Sequence, residues 1–479
     1  MKWKKATLVT MTVVGLILGF AIVCGIIPTS DDFPVRTALG VSVTMAWLWL
    51  VPNALRDDYD WVVGLLPIVF FSIVPEKAKF FLNGFAHPFV ALFLGGLLVI
   101  PALEANGVAL LIRCLIDRLC LRAIGTMTLV GICAAGTSTF LSNTIAATLF
   151  IPIADSAVHP FANGALRSRT RLVVAYAVTI GGIATIMGTP PNAITVKALA
   201  EQGIIVTSLE WMRIALPISV VLFGVMIGLV CIGGRLSTVR RVDTSRIGWS
   251  DLRPYLPRLI ATLLIFASFV RVWILLEKQE WKAYQSYFWY AVPVSAFFLL
   301  LPVWRSHGEQ RRRGLLAIRD IVCMRFGKRC FVVLVLAGGL ALGEAMKLTH
   351  TDAWVADQII PFAKPIALVS LLLFRLALAY PVVFLGEFVS NTALCSLLMP
   401  ILMKMAALLR EDQKELGIIM GIACSLGFML LAATPPNSLC AGALSAQEES
   451  EYKRLMRQRG LLFDIVSVPI VVYLGSSLV

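Results

Sequence analysis

The sequence predicts an all-α, polytopic membrane protein built from two inverted repeats. Of its 479 residues, 58% are hydrophobic and 15% are charged, whereas a soluble protein carries about 25% charged residues. Apolar runs of membrane-spanning length recur along the chain, and motifs from its first half return in its second half. These observations exclude a soluble globular domain, a disordered chain and a disulfide scaffold.

About eleven apolar runs approach the roughly 20 residues that a membrane-spanning helix needs. They lie at 6–27, 36–55, 61–74, 89–112, 171–196, 212–232, 258–276, 287–304, 330–346, 417–441 and 461–478. Two further apolar stretches, 125–155 and 366–402, are interrupted by a polar cluster. We expect these two to form re-entrant hairpins, which return to the side of the membrane from which they enter.

The basic residues indicate how the spans are oriented. Lys and Arg collect in the cytoplasmic loops of membrane proteins, and a cytoplasmic N-terminus places most of the 42 Lys and Arg residues on that side. The first apolar run is longer than the core of a signal peptide and lacks a cleavage site at its end, so we expect a retained helix. The net charge of +14 is explained by topology, and no nucleic-acid partner is predicted.

Three motifs occur twice in the same order and define an internal repeat. The pairs are Gly95-Gly96 with Gly338-Gly339, Ser142-Asn143-Thr144 with Ser390-Asn391-Thr392, and Gly188–Asn192 with Ala433–Asn437. A proline follows each Ser-Asn-Thr at the same spacing, at Pro152 and Pro400. Each half contains five spans and one hairpin, and an odd number of spans makes the halves enter the membrane from opposite faces. The repeats are therefore predicted to be inverted.

Each Thr-Pro-Pro-Asn sequence lies within an apolar run and is predicted to interrupt a helix. Pro190, Pro191, Pro435 and Pro436 lack an N–H group and clash with the preceding helical turn. The carbonyls that they free are tolerated at membrane depth only where they line a cavity or bind a ligand. Helix N-termini at such a break suit an anion, and carbonyl oxygens suit a hard cation such as sodium.

The hairpin tips add neutral hydroxyl and amide groups, which can donate to a carboxylate or sulfate and accept around a cation. A single Ser-Asn-Thr more often joins or caps helices, but its symmetric duplication favours a binding site. Inverted repeats with broken helices are typical of secondary transporters, whose substrate site lies where the repeats meet. The sequence therefore predicts a transporter of a small anion.

Other classes of protein fit the sequence less well. An intramembrane enzyme needs a nucleophile with a base, or a metal motif such as H-E-x-x-H, and the spans contain neither. A channel has a continuous pore lined by filter residues, whereas hairpins that enter from opposite sides favour alternating access. The ten cysteines include no C-x-x-C pair and the four histidines are far apart, so no transition-metal site is predicted.

Arg375 is a single charge in the apolar first arm of the second hairpin, where burial without a partner or water is costly. Two interpretations stay open: the side chain extends to the outer headgroups, or it has a gating or charge-compensating role. Direct contact with substrate is not expected, because Ser390 is 15 residues away, which corresponds to about 22 Å of helix.

At these motifs the sequence resembles the divalent anion/sodium symporter family, the INDY-like carriers of dicarboxylates, tricarboxylates and sulfate. The resemblance also includes the run from Gly84 to Gly96 and the Glu387-Phe388 pair before the second tip. It covers 84–232 and 330–479, whereas the remaining regions match only in hydropathy.

The resemblance implies a homodimer in a bacterial plasma membrane and an elevator mechanism. The scaffold domain would comprise 1–124 and 234–365. The transport domain, with both hairpins and both broken helices, would comprise 125–233 and 366–479.

Two connecting segments, 112–124 and 346–365, would act as the arms of the elevator. The first is expected to be an amphipathic helix in the membrane interface, because its charged residues recur at helical spacing among leucines and isoleucines. These charged residues are Arg113, Asp117, Arg118 and Arg122.

The resemblance also implies the ligands, position by position. The substrate is expected between Asn143, Thr144, Thr189 and Pro190 of the first repeat and Asn391, Thr392, Thr434 and Pro435 of the second. A first sodium site is expected at Ser138, Ser142, Asn143 and Gly188, and a second at Gly386, Val389, Asn391 and Ala433. Gly386 departs from the family pattern, since sodium-coupled members usually have threonine there, and it offers only its backbone carbonyl.

Within the family, the expected substrate is citrate or a dicarboxylate such as succinate, malate or 2-oxoglutarate, with sodium as the coupling ion. A sodium-independent dicarboxylate exchanger and a sulfate transporter remain alternatives, because the same neutral groups can bind either kind of anion.

Overall fold

The computed structural model describes residues 2–26, 35–44, 47, 87, 89–90, 93, 106–119, 121–161, 163–233, 236, 239, 248–276, 326–442 and 444–479. Within them the chain is helical, without a β-strand. Four helical stretches of this part are long and apolar enough to cross a membrane: Asn143–Phe161, Ser208–Cys231, Asn391–Leu409 and Ala446–Leu478. The spans predicted at 61–74 and 287–304 lie outside the described residues, as do half of 36–55, most of 89–112 and Gly95-Gly96.

The α-helices of the described part follow one another along the chain, with a further helical stretch at 35–44 between the first two. They are α1 (Lys2–Val23), α2 (Val108–Leu119), α3 (Ala123–Ser138), α4 (Asn143–Val158), α5 (Gly164–Ile183), α6 (Pro190–Glu201), α7 (Ser208–Cys231), α8 (Trp249–Leu252), α9 (Leu256–Leu276), α10 (Phe326–Leu348), α11 (Thr351–Val369), α12 (Leu371–Gly386), α13 (Asn391–Leu409), α14 (Gln413–Ala423), α15 (Pro435–Ala441), α16 (Ala446–Leu455) and α17 (Leu461–Leu478).

Both predicted hairpins are present as pairs of packed helices. Helices α3 and α4 are joined by the tip at 139–142, and α12 and α13 by the tip at 387–390. The second hairpin begins at Leu371 rather than at 366, because 366–369 complete α11. Ser370 separates these two helices: its backbone is extended, and its side chain caps the N–H of Leu373 at 3.3 Å.

The predicted interruptions are present at both Thr-Pro-Pro-Asn sequences. The apolar run predicted as one span at 171–196 is two helices, α5 and α6, separated at 184–189. The run at 417–441 is likewise divided into α14 and α15, with a longer break at 424–434. In each case the first proline occupies the first position of the following helix, where its missing N–H costs no hydrogen bond.

The predicted arms correspond to α2 and α11. In α2 the side chains of Arg113 and Asp117 are buried and form an ion pair at 2.8 Å, whereas Leu115 and Leu119 are exposed. The Arg113–Asp117 pair of this helix thus faces the protein, whereas Arg118 is exposed on the same outward side as Leu115 and Leu119. Helix α11 starts after His350, whose left-handed backbone (φ 54°) turns the chain away from α10.

The two repeats pack together around α5, which is almost completely buried. Each repeat places one helix against a hairpin of the other repeat. The helix that follows each break lies against the outgoing arm of the hairpin of the other repeat, so α6 packs on α13 and α15 packs on α4. Three aromatic rings join the repeats at the core: Tyr176 and Phe463 lie 5.0 and 4.6 Å from Phe428 between ring centroids. This exchange brings both hairpin tips and both breaks into one region.

Candidate functional site

The first hairpin tip contacts the first break through Asn143. With its amide oriented to satisfy its neighbours, Asn143 donates to the Gly188 carbonyl at 3.2 Å and lies 2.9 Å from the Ser138 hydroxyl. The structure therefore brings together three of the four residues predicted for the first sodium site. Ser142, the fourth, is half-buried at the start of α4, where its carbonyl accepts the Ala146 N–H at 3.1 Å.

The first break is held against this tip by Thr185, whose hydroxyl donates to the Thr139 carbonyl. The same hydroxyl accepts the N–H of Gly188 at 3.2 Å. Thr189 then continues in an extended conformation into the buried Pro190, at the N-terminus of α6. The partial positive charge of this helix end is directed at the hairpin region, as an anion site requires.

The second tip and the second break approach each other around Gly427. A Cβ atom built at Gly427 would lie 3.2 Å from the Ala433 Cβ and 3.7 Å from the Gly386 carbonyl oxygen. A Cβ built at Gly386 would lie 3.6 Å from Asn391 Oδ1. Gly386, Asn391 and Ala433 of the predicted second sodium site are thus neighbours, and Val389 is half-buried in the same tip.

The donor set at the second break suits a hard cation. The Asn391 amide donates to the Ser425 carbonyl at 3.1 Å, which leaves its Oδ1 buried and without a hydrogen-bond partner among the described residues. The Thr434 hydroxyl oxygen is also buried and unpartnered within that part of the chain. Neutral oxygens of this kind, with backbone carbonyls, are the ligands that sodium-like hard cations accept.

Helices α6 and α13, which begin at or beside predicted substrate residues of the two repeats, pack on each other. The Cys395 thiol, one turn into α13, lies 3.4 Å from the Pro191 carbonyl, so the start of α13 adjoins the start of α6. Thr189 and Thr434 are each 4% exposed and Thr392 is 8% exposed, whereas Asn143, Thr144 and Asn391 are half-buried. Pro435 differs from its counterpart Pro190, because it is exposed rather than enclosed.

Two acidic residues beside the second break are absent from the predicted site. Glu387 is fully buried and accepts the N–H groups of Met429 at 2.9 Å and Leu430 at 2.6 Å. Asp464 of α17, also fully buried, lies against Glu387. A carboxyl group within an apolar run is itself a functional signal, and both residues carried that signal in the sequence. Glu387 fastens the second tip to the second break.

Arg375 does not extend to the headgroups, which corrects the first of its two interpretations. All five N–H donors of its guanidinium are used: they bind Glu411, Glu415 and Ser476, with the Nε–Glu411 bond at 2.8 Å and the Ser476 bond at 2.6 Å. The group is buried at the end of the second hairpin opposite its tip. Arg375 is therefore a charge-compensating residue, and its partners come from the segment before α14 (Glu411), from α14 (Glu415) and from α17 (Ser476).

Comparisons with known proteins place the chain in a family of transporters. The profile of a family described as citrate transporter matches residues 37–310 and, in a second match, residues 247–475. An uncharacterised transporter of Haemophilus influenzae is 26% identical over 461 residues, which cover 92% of this chain and 91% of that protein. A sodium-dependent dicarboxylate transporter, SdcS, of Staphylococcus saprophyticus is 26% identical over 475 residues, covering 90% and 85%. An uncharacterised transporter of Methanocaldococcus jannaschii is 26% identical over 70% of this chain and 69% of its own.

Proposed function

The chain belongs to the citrate transporter family, among the divalent anion/sodium symporters that its motifs resemble, and from this premise we propose the following function. The protein is a secondary active transporter of a small divalent anion across a bacterial plasma membrane. Its substrate is citrate or a dicarboxylate such as succinate, malate or 2-oxoglutarate, and sodium drives the uptake.

The observation that carries this proposal is the matched contact between tips and breaks. In the first repeat Asn143 reaches the Gly188 carbonyl, and in the second Asn391 and the Gly386 carbonyl adjoin Ala433. Each contact lies at the N-terminus of a helix that follows a break. Amide and hydroxyl groups with two helix N-termini can bind a dianion without a fixed positive charge.

Sodium coupling is supported by the chemistry of the second break. Asn391 and Thr434 each offer a buried oxygen that lacks a partner among the described residues. The carboxyl group of Glu387, beside the same break, accepts the N–H groups of Met429 and Leu430 and so holds this break against the second tip. Relatives that bear the name sodium-dependent dicarboxylate transporter are similar over nine-tenths of the chain.

One observation favours the second candidate, a sodium-independent exchanger of the same class of anion. Gly386 supplies no hydroxyl group at the position where sodium-coupled members have threonine. The site then depends on carbonyl groups alone at that position, and a weaker cation site would leave exchange as the dominant reaction.

Uptake by proteoliposomes tests both candidates. Labelled succinate, citrate and sulfate are each supplied with and without an inward sodium gradient, and with and without the unlabelled anion inside. We expect sodium-driven accumulation of succinate or citrate. Accumulation that is unaffected by replacing sodium with choline, but stimulated by internal substrate, would support the exchanger. Uptake of sulfate alone would identify the protein as a sulfate transporter.

We also propose an elevator mechanism in a homodimer, with a transport domain of 125–233 and 366–479 and a scaffold domain of 1–124 and 234–365. The exchange of helices between the repeats supports a single transport unit, because neither hairpin can move without the helix of the other repeat that packs on it. The whole site would then cross the membrane as one body.

A further inference from the structure

The two helix breaks share one side-chain arrangement, which centres on the asparagine of each Thr-Pro-Pro-Asn sequence. Asn192 Nδ2 donates to the carbonyls of Gly182 at 3.1 Å and Thr185 at 2.6 Å. Asn437 Nδ2 donates to the carbonyls of Gly427 at 3.1 Å and Leu430 at 2.9 Å. The acceptors lie ten and seven residues before the asparagine in both repeats, so the two arrangements correspond position by position.

These carbonyls need a partner because of the breaks. A carbonyl in a continuous helix accepts the N–H four residues later, and that partner is lost where the backbone leaves the helix. In a membrane-embedded core no bulk water replaces it. Both asparagines are fully buried, so their amide donors take the place of the missing helical N–H groups.

The same bonds shape the turn that carries the predicted cation ligand. The Thr185 carbonyl, bound by Asn192, also accepts the Gly188 N–H at 3.3 Å. In the second repeat the Leu430 carbonyl, bound by Asn437, accepts the Ala433 N–H at the same distance of 3.3 Å. Each asparagine therefore holds a turn whose last residue offers its own carbonyl to the site.

The asparagines also fix the start of the following helix. The backbone N–H of Asn192 donates to the Thr189 carbonyl at 3.2 Å, and that of Asn437 donates to the Thr434 carbonyl at 3.1 Å. Each asparagine thus joins two parts of the chain: the non-helical turn within the break, and the first turn of the helix that follows the break. A loss of the amide would separate these two parts, while the proline-initiated helix itself would remain.

We propose that Asn192 and Asn437 are positioning residues of the transport site, an inference that rests on the proposed function. Each amide sets the non-helical turn of its own break and thereby aims the carbonyl of Gly188 or Ala433, and the adjacent Thr189 or Thr434, at the bound ions. Neither asparagine contacts the substrate.

The test uses alanine and aspartate substitutions at both positions in the full chain: Asn192→Ala, Asn192→Asp, Asn437→Ala and Asn437→Asp. Aspartate preserves the shape but removes the donors and places a carboxylate oxygen against the carbonyls. Ser219→Ala is the matched control, because Ser219 is also buried in the proposed transport unit but, among the described residues, bonds only within α7, to the Ala215 carbonyl at 2.9 Å. Only variants that purify as monodisperse protein are compared.

Two measurements are made on each variant. In proteoliposomes we expect the sodium concentration for half-maximal uptake and the substrate KM to rise about tenfold or more, as when the support of a metal ligand is removed. The maximal rate should change less. By hydrogen exchange in detergent, the amide of Gly188 should exchange faster in Asn192 variants only, and that of Ala433 in Asn437 variants only.

The outcomes separate this inference from the proposed function. Unchanged exchange at Gly188 and Ala433, or unchanged sodium and substrate dependence with normal folding, would overturn the positioning role. Equal losses in Ser219→Ala would also overturn it. If the wild type transports none of the anions, the proposed function fails, and local exchange still decides whether the asparagines hold the turns. Where an alanine variant does not fold, the aspartate variant at that position supplies the measurement.

Discussion

At the scale of single residues, the candidate site consists of amides, hydroxyls and carbonyls. Its two asparagines are each held by a hydrogen bond to a backbone carbonyl. Asn143 donates to the Gly188 carbonyl, and Asn391 donates to the Ser425 carbonyl. Each asparagine is thereby held in one orientation, and Asn391 leaves its oxygen buried without a partner among the described residues. Orientation of this kind lowers the entropy cost of binding small ions.

Asn143→Ala and Asn391→Ala are expected to abolish transport without loss of folding. Each removes an amide that both joins tip to break and faces the ions, and bonds to charged groups are worth about 1.5–3 kcal/mol each. Uptake should therefore fall at least about tenfold for each lost bond. Thr148→Ala, an exposed hydroxyl of α4 that bonds to the Thr144 carbonyl at 2.8 Å, is the control. Wild-type uptake by either purified asparagine variant would refute the site.

Gly386→Thr is expected to strengthen sodium dependence, because it adds a hydroxyl group near Asn391 Oδ1. The new Cβ would lie 3.2 Å from the Leu426 carbonyl oxygen, a close contact that the backbone must relieve by a few tenths of an ångström. One added ligand worth about 1 kcal/mol should lower the sodium concentration for half-maximal uptake about fivefold. Gly386→Ala, which adds the Cβ alone, separates the effect of the hydroxyl from that of crowding. Identical sodium curves for the two variants would contradict a cation at this position.

At the scale of helices, charged clusters fix the ends of both hairpins that lie away from the tips. Asp155, near the end of α4, binds Arg167 at 2.8 Å and Arg171 of α5, and Arg171 also donates to the Cys440 carbonyl at 3.2 Å, at the end of α15. In the second hairpin Arg375 joins α12 to Glu411 and Glu415. The hairpins are therefore anchored at their bases.

Arg375→Met is expected to destabilise the protein by about 3–5 kcal/mol, because it leaves the buried carboxylate of Glu411 and the half-buried carboxylate of Glu415 without their cationic partner. The expected readout is a lower midpoint of thermal unfolding in detergent. The triple variant that adds Glu411→Gln and Glu415→Gln should recover part of this loss by removing both charges.

Lys453→Met is the control for Arg375→Met. It breaks an exposed ion pair with Glu449 at 2.6 Å and should lower the free energy of unfolding by less than about 1 kcal/mol. An Arg375→Met variant as stable as this control would mean that the cluster does not hold the base of the hairpin.

At the scale of the whole molecule, contacts between the repeats occur at the core and at both ends of the transport unit. The aromatic group of Tyr176, Phe428 and Phe463 joins the repeats at the core. Arg167 binds Glu448 at 3.3 Å near one hairpin base, and Lys414 binds Glu210 near the other. Motion of the unit as a rigid body keeps all of these contacts, whereas separate opening of one repeat would break them.

A cross-link between the proposed domains is expected to stop transport. Lys197 of α6 and Glu344 of α10 form an ion pair at 3.5 Å across the proposed boundary, so Lys197→Cys and Glu344→Cys can be joined by a short bifunctional reagent in a background without reactive cysteines. The reagent must form a disulfide with each thiol, so that a reductant cleaves both bonds. Uptake should be lost on cross-linking and should return on reduction, while each single variant stays active. Full uptake with a complete cross-link would exclude the elevator and favour a gate at the hairpin tips.

The family, the two hairpins and the two breaks were predictable from the sequence, because each rests on a local property. Proline at 190 and 435 removes N–H groups wherever the chain lies, and the duplication of Ser-Asn-Thr is visible without a fold. The boundaries were less predictable. The second hairpin starts at Leu371 because the capping by Ser370, rather than hydropathy, ends α11.

Partnerships between distant residues were decided only by the tertiary structure. In the sequence, Arg375 is a single charge within an apolar segment. Packing places Glu411 and Glu415, which are 36 and 40 residues later in the chain, around its guanidinium. Glu387 links the second tip to the second break only because the fold brings Met429, 42 residues later in the chain, into contact with its carboxyl group. A buried polar group must find its partner in space, and that partner can lie anywhere along the chain. The sequence by itself therefore determined which groups lie at the hairpin tips and at the breaks, and the packing of the two repeats determined which of these groups contact one another.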